Sequence, residues 1–129
     1  MKTDNELGAP WADTLPSEAP VVHRNLDVAV GHRQLTTLTR DHLHYWMGQL
    51  RSRRLQPFIT VARADRPPFF IQTYRHSDND YRLEVHPGDE HHYLAVTLDD
   101  ESEVEQLLWD WLENDWQRLD AIDWEHHTL

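Results

Sequence analysis

The sequence predicts an α+β fold, an antiparallel four-stranded meander flanked by two helices in the order α-β-β-β-β-α. Three observations carry this. Four runs rich in β-branched and aromatic residues lie between residues 58 and 98, the composition that fits a pleated, half-buried surface. The connections between them are too short for anything except antiparallel neighbours. Apolar residues at helical spacing stand before and after the runs. A chain of 129 residues is long enough to bury one core and too short for two.

Residues 1–20 carry Pro10, Pro16, Pro20 and scattered acids with no apolar period, and read as a flexible N-terminal tail ahead of a single domain over 21–129. Val21, Val22, Leu26, Val28 and Val30 form a weak β-like stretch ended by Gly31, which would add a fifth short strand to the meander. The first helix starts at Thr39. Thr39 can cap the first turn, Asp41 suits its positive end, and Leu43, Trp46, Met47 and Leu50 follow at i, i+3, i+4 and i+7. Arg51, Arg53 and Arg54 complement the C-terminal end of its dipole, and Pro57 stops it.

The four strands are Phe58–Arg63, Phe69–Arg75, Tyr81–His86 and Tyr93–Leu98. In the third, Tyr81, Leu83 and Val85 alternate with Arg82, Glu84 and His86, which implies one buried and one wet face. Arg63, Arg75 and Arg82 are expected on the wet face, with Phe70 and Tyr74 sharing one face of their strand. Turn chemistry separates the strands: Asp65 to Pro68, Ser77 to Asp80, and Pro87 to Glu90. Asp100 with Glu103 then opens the last helix as a capping box. Val104, Leu107, Leu108, Trp111 and Leu112 make its core stripe, and the helix is expected to run to about Arg118. Leu119, Ile122 and Trp124 would fold back over it as a C-terminal strap.

The net charge of −11 argues against a phosphate-backbone binder. Absence of Cys excludes disulfides, thiolate metal sites and a Cys nucleophile. No apolar stretch reaches the ~20 residues of a membrane helix, and the polar start lacks a signal peptide's apolar region. A cytoplasmic protein that binds neither nucleic acid nor membrane is expected. The charge is also localised. Residues 1–98 hold 12 acids and 11 bases, whereas 99–129 hold 11 acids and only Arg118.

Ten His raise the question of a metal. His42 and His44 at i, i+2 on a helix point about 200° apart and cannot chelate together. His86 and His91 flank the Pro87-Gly88 turn and could face each other with Glu84 or Glu90 as a third ligand, but no zinc spacing such as H-E-x-x-H is present. Surface histidines are the simpler reading, so no cofactor is expected. Asp78 and Asp80 have a turn explanation and Asp99 and Asp100 a capping one. The four Gly are too dispersed for a phosphate loop, and no G-x-S-x-G elbow occurs. A non-enzymatic protein is the expectation.

On the last helix Trp109 and Trp116 form a second ridge beside Glu105 and Glu113, off the core stripe. Either the C-terminal strap covers them or a Trp stands exposed as the anchor of a partner interface, where Trp is a favoured hot-spot residue. The second reading makes Trp109, Glu113 and Trp116 the contacts, with Glu105 and Asp110 as rim charges toward a basic protein.

The segment from Pro57 to Trp116, with PFITV, FFIQTY, YRLEV, HHYLAVTL and EVEQLLWDWLENDW, resembles small single-domain proteins of actinobacteria similar to the Imm1-like immunity proteins of polymorphic toxin systems. The resemblance implies an α+β inhibitor that binds and neutralises a cognate toxin without catalysis. It supplies no active-site residues, and the first forty residues lie outside it. The element order also looks like that of secretion-chaperone-type domains, which implies a chaperone or scaffold acting as a homodimer where an immunity protein can be monomeric. A metal-dependent enzyme centred on His86, His91 and Glu84 is the third reading.

Overall fold

Leu26, Val28 and Val30 turn inward in alternation to make β1 (Leu26–Val30), and Gly31 at φ 60 reverses the chain into β2 (Arg33–Leu35). A positive φ is open to glycine without a Cβ penalty, which is why the hairpin turns there. The structure, a computed structural model, describes residues 21–52, 57–65, 69–88 and 91–128. The tail expected over 1–20 lies outside them, as do Arg53, Arg54 and most of the two Pro-containing turns.

Thr39 caps α1 (Arg40–Gln49) as expected, its hydroxyl accepting from the His42 amide at 3.1 Å. The helix ends at Gln49 and tightens into a 3-10 turn over Leu50–Ser52. Four strands then follow where the residue pattern puts them: β3 (Phe58–Arg63), β4 (Phe69–Ser77), β5 (Asp80–Pro87) and β6 (His92–Leu98). Asp100 caps α2 (Glu101–Leu112) by accepting from the Ser102 amide. After a break come α3 (Gln117–Asp120) and β7 (Glu125–Thr128).

The expected four-stranded meander with two helices is therefore incorrect. The sheet is antiparallel with seven strands in the order β2-β1-β3-β4-β5-β6-β7, and three helices accompany it. The meander β3 to β6 is its centre. The chain leaves β2, forms α1, and returns as β3 on the other side of β1, while α2 and α3 lie between β6 and its outer neighbour β7. The α+β class holds, and no helix among the described residues is long and apolar enough to cross a membrane.

The core lies between the helices and one sheet face. Val28, Ile59, Val61, Ile71, Leu83 and Val85 from the strands meet Leu43, Trp46 and Met47 of α1 and Val104, Leu107, Leu108 and Leu112 of α2. Large apolar side chains buried this fully contribute roughly 1.5–3 kcal/mol each. Arg63 shares the strand face of Ile59 and Val61, and Arg75 that of Ile71 and Thr73, whereas Arg82 lies opposite Tyr81, Leu83 and Val85, so only Arg82 of the three stands on the face away from the core. Arg63 donates to the Leu112 carbonyl at 2.7 Å and lies 5.7 Å from the Trp111 ring centre. It thereby satisfies an orphan carbonyl at the negative end of α2.

The last helix also stops earlier than its apolar pattern suggests. Asn114 sits at φ 57, the left-handed conformation that Asn tolerates and that commonly ends helices. The chain turns there, so Trp116 no longer shares a helix with Trp109.

Candidate partner-binding surface

The residues expected to contact a partner divide in the structure. Trp109 keeps only 9% of its surface, Glu105 6% and Asp110 3%. Glu105 is clamped from α1, where Arg40 and His44 at i, i+4 share one face. Arg40 Nε donates to Oε2 and His44 Nδ1 to Oε1, both at 2.8 Å. Asp110 accepts from Gln106 at 2.8 Å and takes both oxygens to Arg118 Nη1 at 3.0 and 2.8 Å. These carboxylates tie α2 to its neighbours, a role that their helix-wheel position alone could not distinguish from a solvent-facing one.

Trp109 is covered from an unexpected direction. The backbone pairing of His23 with Leu38 extends the β1–β2 hairpin and carries the His23 ring against Trp109, edge to face with centroids 5.0 Å apart. The same ring reaches Glu113, which is exposed. Trp116 is half-buried and donates to Asn114 at 3.0 Å. The C-terminal segment does fold back, with Ile122 and Trp124 packed on the core and the Trp124 indole donating to the Leu119 carbonyl at 2.7 Å.

The sheet face opposite the helices carries an arrangement that the sequence did not disclose. Phe70, His86, Tyr93 and His127 stand in one row across β4, β5, β6 and β7, with successive ring centres 4.0, 4.9 and 4.9 Å apart and planes within 12° of parallel. Beside the row, Thr60 donates to Gln72 at 3.1 Å, and Gln72 donates to Glu84 at 3.0 Å. Glu84 also accepts from Arg82 Nε at 2.7 Å and His86 Nε2 at 3.2 Å. Burial pushes the Glu84 carboxyl up, but the hydrogen bonds from Arg82, Gln72 and His86, with the Arg82 charge, outweigh it and hold the pKa below the ordinary value. A carboxylate so engaged is a weak base and holds the sheet together.

His86 and Glu84 are thus brought together, but the third metal candidate is not. The register that pairs Val85 with Leu94 sets His86 beside Tyr93, and His91 sits exposed on the turn before β6. Among the described residues no group of three or more His, Asp or Glu is placed to hold a metal ion.

Two cavities adjoin α2. One, of about 610 Å³, lies at the tip of the β4–β5 hairpin among Arg51, Asp78, Tyr81, Asp100 and Glu101. Its charges are largely used. Glu101 accepts from the Tyr81 hydroxyl at 2.8 Å and faces Arg51 at 3.4 Å, Asp78 pairs with Arg75, and Asp100 caps α2. Burial, with the Glu101 hydrogen bond and charge, raises the Tyr81 pKa. The other, of about 440 Å³, lies between α2 and α3 among Glu103, Gln106, Leu107, Arg118, Ala121 and Ile122.

The acids of 99–129 can now be sorted by what they touch. Five face basic side chains: Glu101, Glu105, Asp110, Glu113 and Glu125. Asp100 and Asp115 accept from backbone amides. The side chains of Asp99, Glu103, Asp120 and Asp123 are engaged in none of these bonds, and all four are exposed. No family model, no curated protein and no solved structure matches this chain.

Proposed function

We propose that this chain is a non-catalytic protein-binding module of the immunity type, which docks a basic partner on the α2–α3 side of its helix layer. The observation that carries it is the residual charge. After internal pairing and capping, Glu103 on the rim of the α2–α3 crevice, and Asp120 and Asp123, which flank its Ala121 and Ile122 in sequence, remain exposed with no basic partner among the described residues, and the one Arg of this segment, Arg118, is committed to Asp110. Such a patch attracts an Arg/Lys-rich surface, raises the encounter rate by roughly 10 to 10³-fold at low salt, and repels acidic partners. A toxin that itself acts on phosphates would offer such a surface.

The proposed contacts shift accordingly. Glu113, exposed at the C-terminal end of α2, and the half-buried Trp116, at the start of α3, remain candidate contacts, whereas Trp109, Glu105 and Asp110 support the surface from below. The test is affinity capture of the tagged chain from its native host, followed by binding of the purified captured protein to wild type and to the Glu103→Lys, Asp120→Lys double variant. A basic partner whose affinity collapses on charge reversal supports the reading. A captured protein that binds both forms equally overturns it.

A further inference from the structure

The crevice between α2 and α3 differs from the rest of the acidic surface in having an apolar floor. Leu107 and Ile122 lie at its base, Ala121 on its exposed wall and Glu103 on its rim. Its remaining polar walls are immobilised from beneath. Gln106 and Arg118 both donate to the buried Asp110, so neither has to be ordered when a ligand arrives, and preorganisation of this kind lowers the entropic cost of binding. The volume of about 440 Å³ lies within the range of small ligand sites.

Charge limits what can enter. The Arg118 guanidinium is neutralised by Asp110 through two contacts, whereas Glu103 has no basic partner among the described residues, and Asp120 and Asp123 flank Ala121 and Ile122 in sequence. The surroundings therefore favour a cation beside an apolar group and disfavour an acid. The hairpin-tip cavity lacks this combination, because no aliphatic side chain lines it and three of its four acids are engaged, Glu101 with Arg51 and Tyr81, Asp78 with Arg75 and Asp100 with an α2 amide, which leaves only Asp99. The sheet face opposite the helices lacks it too, because its hydrogen-bonding groups converge on Glu84.

We infer that this crevice is the anchor pocket of the docking surface and takes an apolar side chain such as leucine together with the aliphatic stem of a neighbouring arginine or lysine on the partner. The inference rests on the basic-partner reading and adds where the partner is held and by what. Removing such an anchor from water slows release, while Glu103 and Asp120 steer the approach.

The probe is a short, end-capped peptide with a central leucine between arginines, titrated into the ¹⁵N-labelled full chain. Two control peptides replace the leucine by glycine or the arginines by glutamates. The expected result is amide shifts concentrated at Gln106, Leu107, Ala121 and Ile122, with about tenfold weaker binding of the glycine peptide and no binding of the glutamate peptide. Ala121→Trp, at an exposed position, fills the crevice and should abolish these shifts with the melting temperature retained. Glu103→Gln should weaken the arginine peptide without changing the preference for leucine over glycine. If leucine and glycine peptides bind alike, or Ala121→Trp leaves binding intact, the anchor pocket is refuted while the basic-partner reading stands. If the glutamate peptide binds as well as the arginine peptide, both fall.

Discussion

Trp109→Ala separates a buried Trp from an exposed interface anchor more cleanly than any other single change. The indole is 91% covered, lies on the core side of α2 with Leu108 and Leu112, and takes the His23 ring on its face. Truncating a buried aromatic to Ala removes its transfer energy and leaves a cavity, at a cost of about 3–5 kcal/mol. The lost edge-to-face contact belongs to that figure and is worth about 0.5–1.5 kcal/mol by itself. A chain of this size has a total stability of roughly 5–15 kcal/mol, so the variant should lose a large share of it. Urea unfolding followed by far-UV circular dichroism is the assay, because six Trp blur a fluorescence signal. The midpoint should fall with the slope unchanged. A double-mutant cycle with His23→Ala should return a coupling of about 0.5–1.5 kcal/mol. A Trp109→Ala loss below about 1 kcal/mol, ordinary for a surface substitution, would refute the burial argument and restore Trp109 as a contact residue.

Other consequences follow from the same contacts. Glu84 has a folded pKa below its unfolded value, so its stabilisation is present above the unfolded value near 4.5 and is lost as pH falls through the lower folded value. Glu84→Gln should therefore be less stable than wild type at pH 6, with the gap closing as pH drops below about 4 in acid unfolding curves. Tyr93→Ala removes the ring between His86 and His127 and should speed hydrogen exchange of the β7 amides that pair with β6, leaving the central strands protected. Asp110→Asn leaves an exposed Arg118 rather than a buried charge, so a loss of about 1–3 kcal/mol is expected in urea, with α3 loosened before the sheet. Added zinc should leave the melting temperature of wild type and His86→Ala in the same relation; a rise confined to wild type would point back to a metal site at His86.

Periodicity carried the central strands and both major helices, because β3 to β6 alternate against a real core and α1 and α2 present continuous apolar stripes. It failed where pairing depends on the backbone alone. Glu125–Thr128 contains no apolar residue, yet forms β7 because an edge strand needs only backbone pairing and a ring for His127 to stack on. Arg33–Leu35 is too short to alternate visibly and is held by the turn at Gly31. The break in the last helix left a weak signal, Asn114 after a run of good helix formers, which the Trp-rich pattern beyond it masked.

The site was legible in charge and illegible in partnership. The excess of acid in 99–129 is plain from composition, but which carboxylates are spent internally depends on distant residues. Arg40 and His44 reach Glu105 across 65 and 61 residues of chain, and His23 reaches Trp109 and Glu113 from the other end of the domain. The ring row across the sheet likewise depends on register, which sets His86 opposite Phe70 and beside Tyr93, and a one-residue slip would dissolve it.

The measurement that bears most directly on the proposed function is the association rate of the captured partner as a function of ionic strength. It should be followed by stopped flow for wild type and for the Glu103→Gln, Asp120→Asn, Asp123→Asn variant. Wild type should bind rapidly at low salt and slow by at least about tenfold as salt rises to several hundred millimolar. The variant should start slower and show a flatter dependence. An association rate that is insensitive to salt, or identical in the two proteins, would contradict docking of a basic partner on this surface.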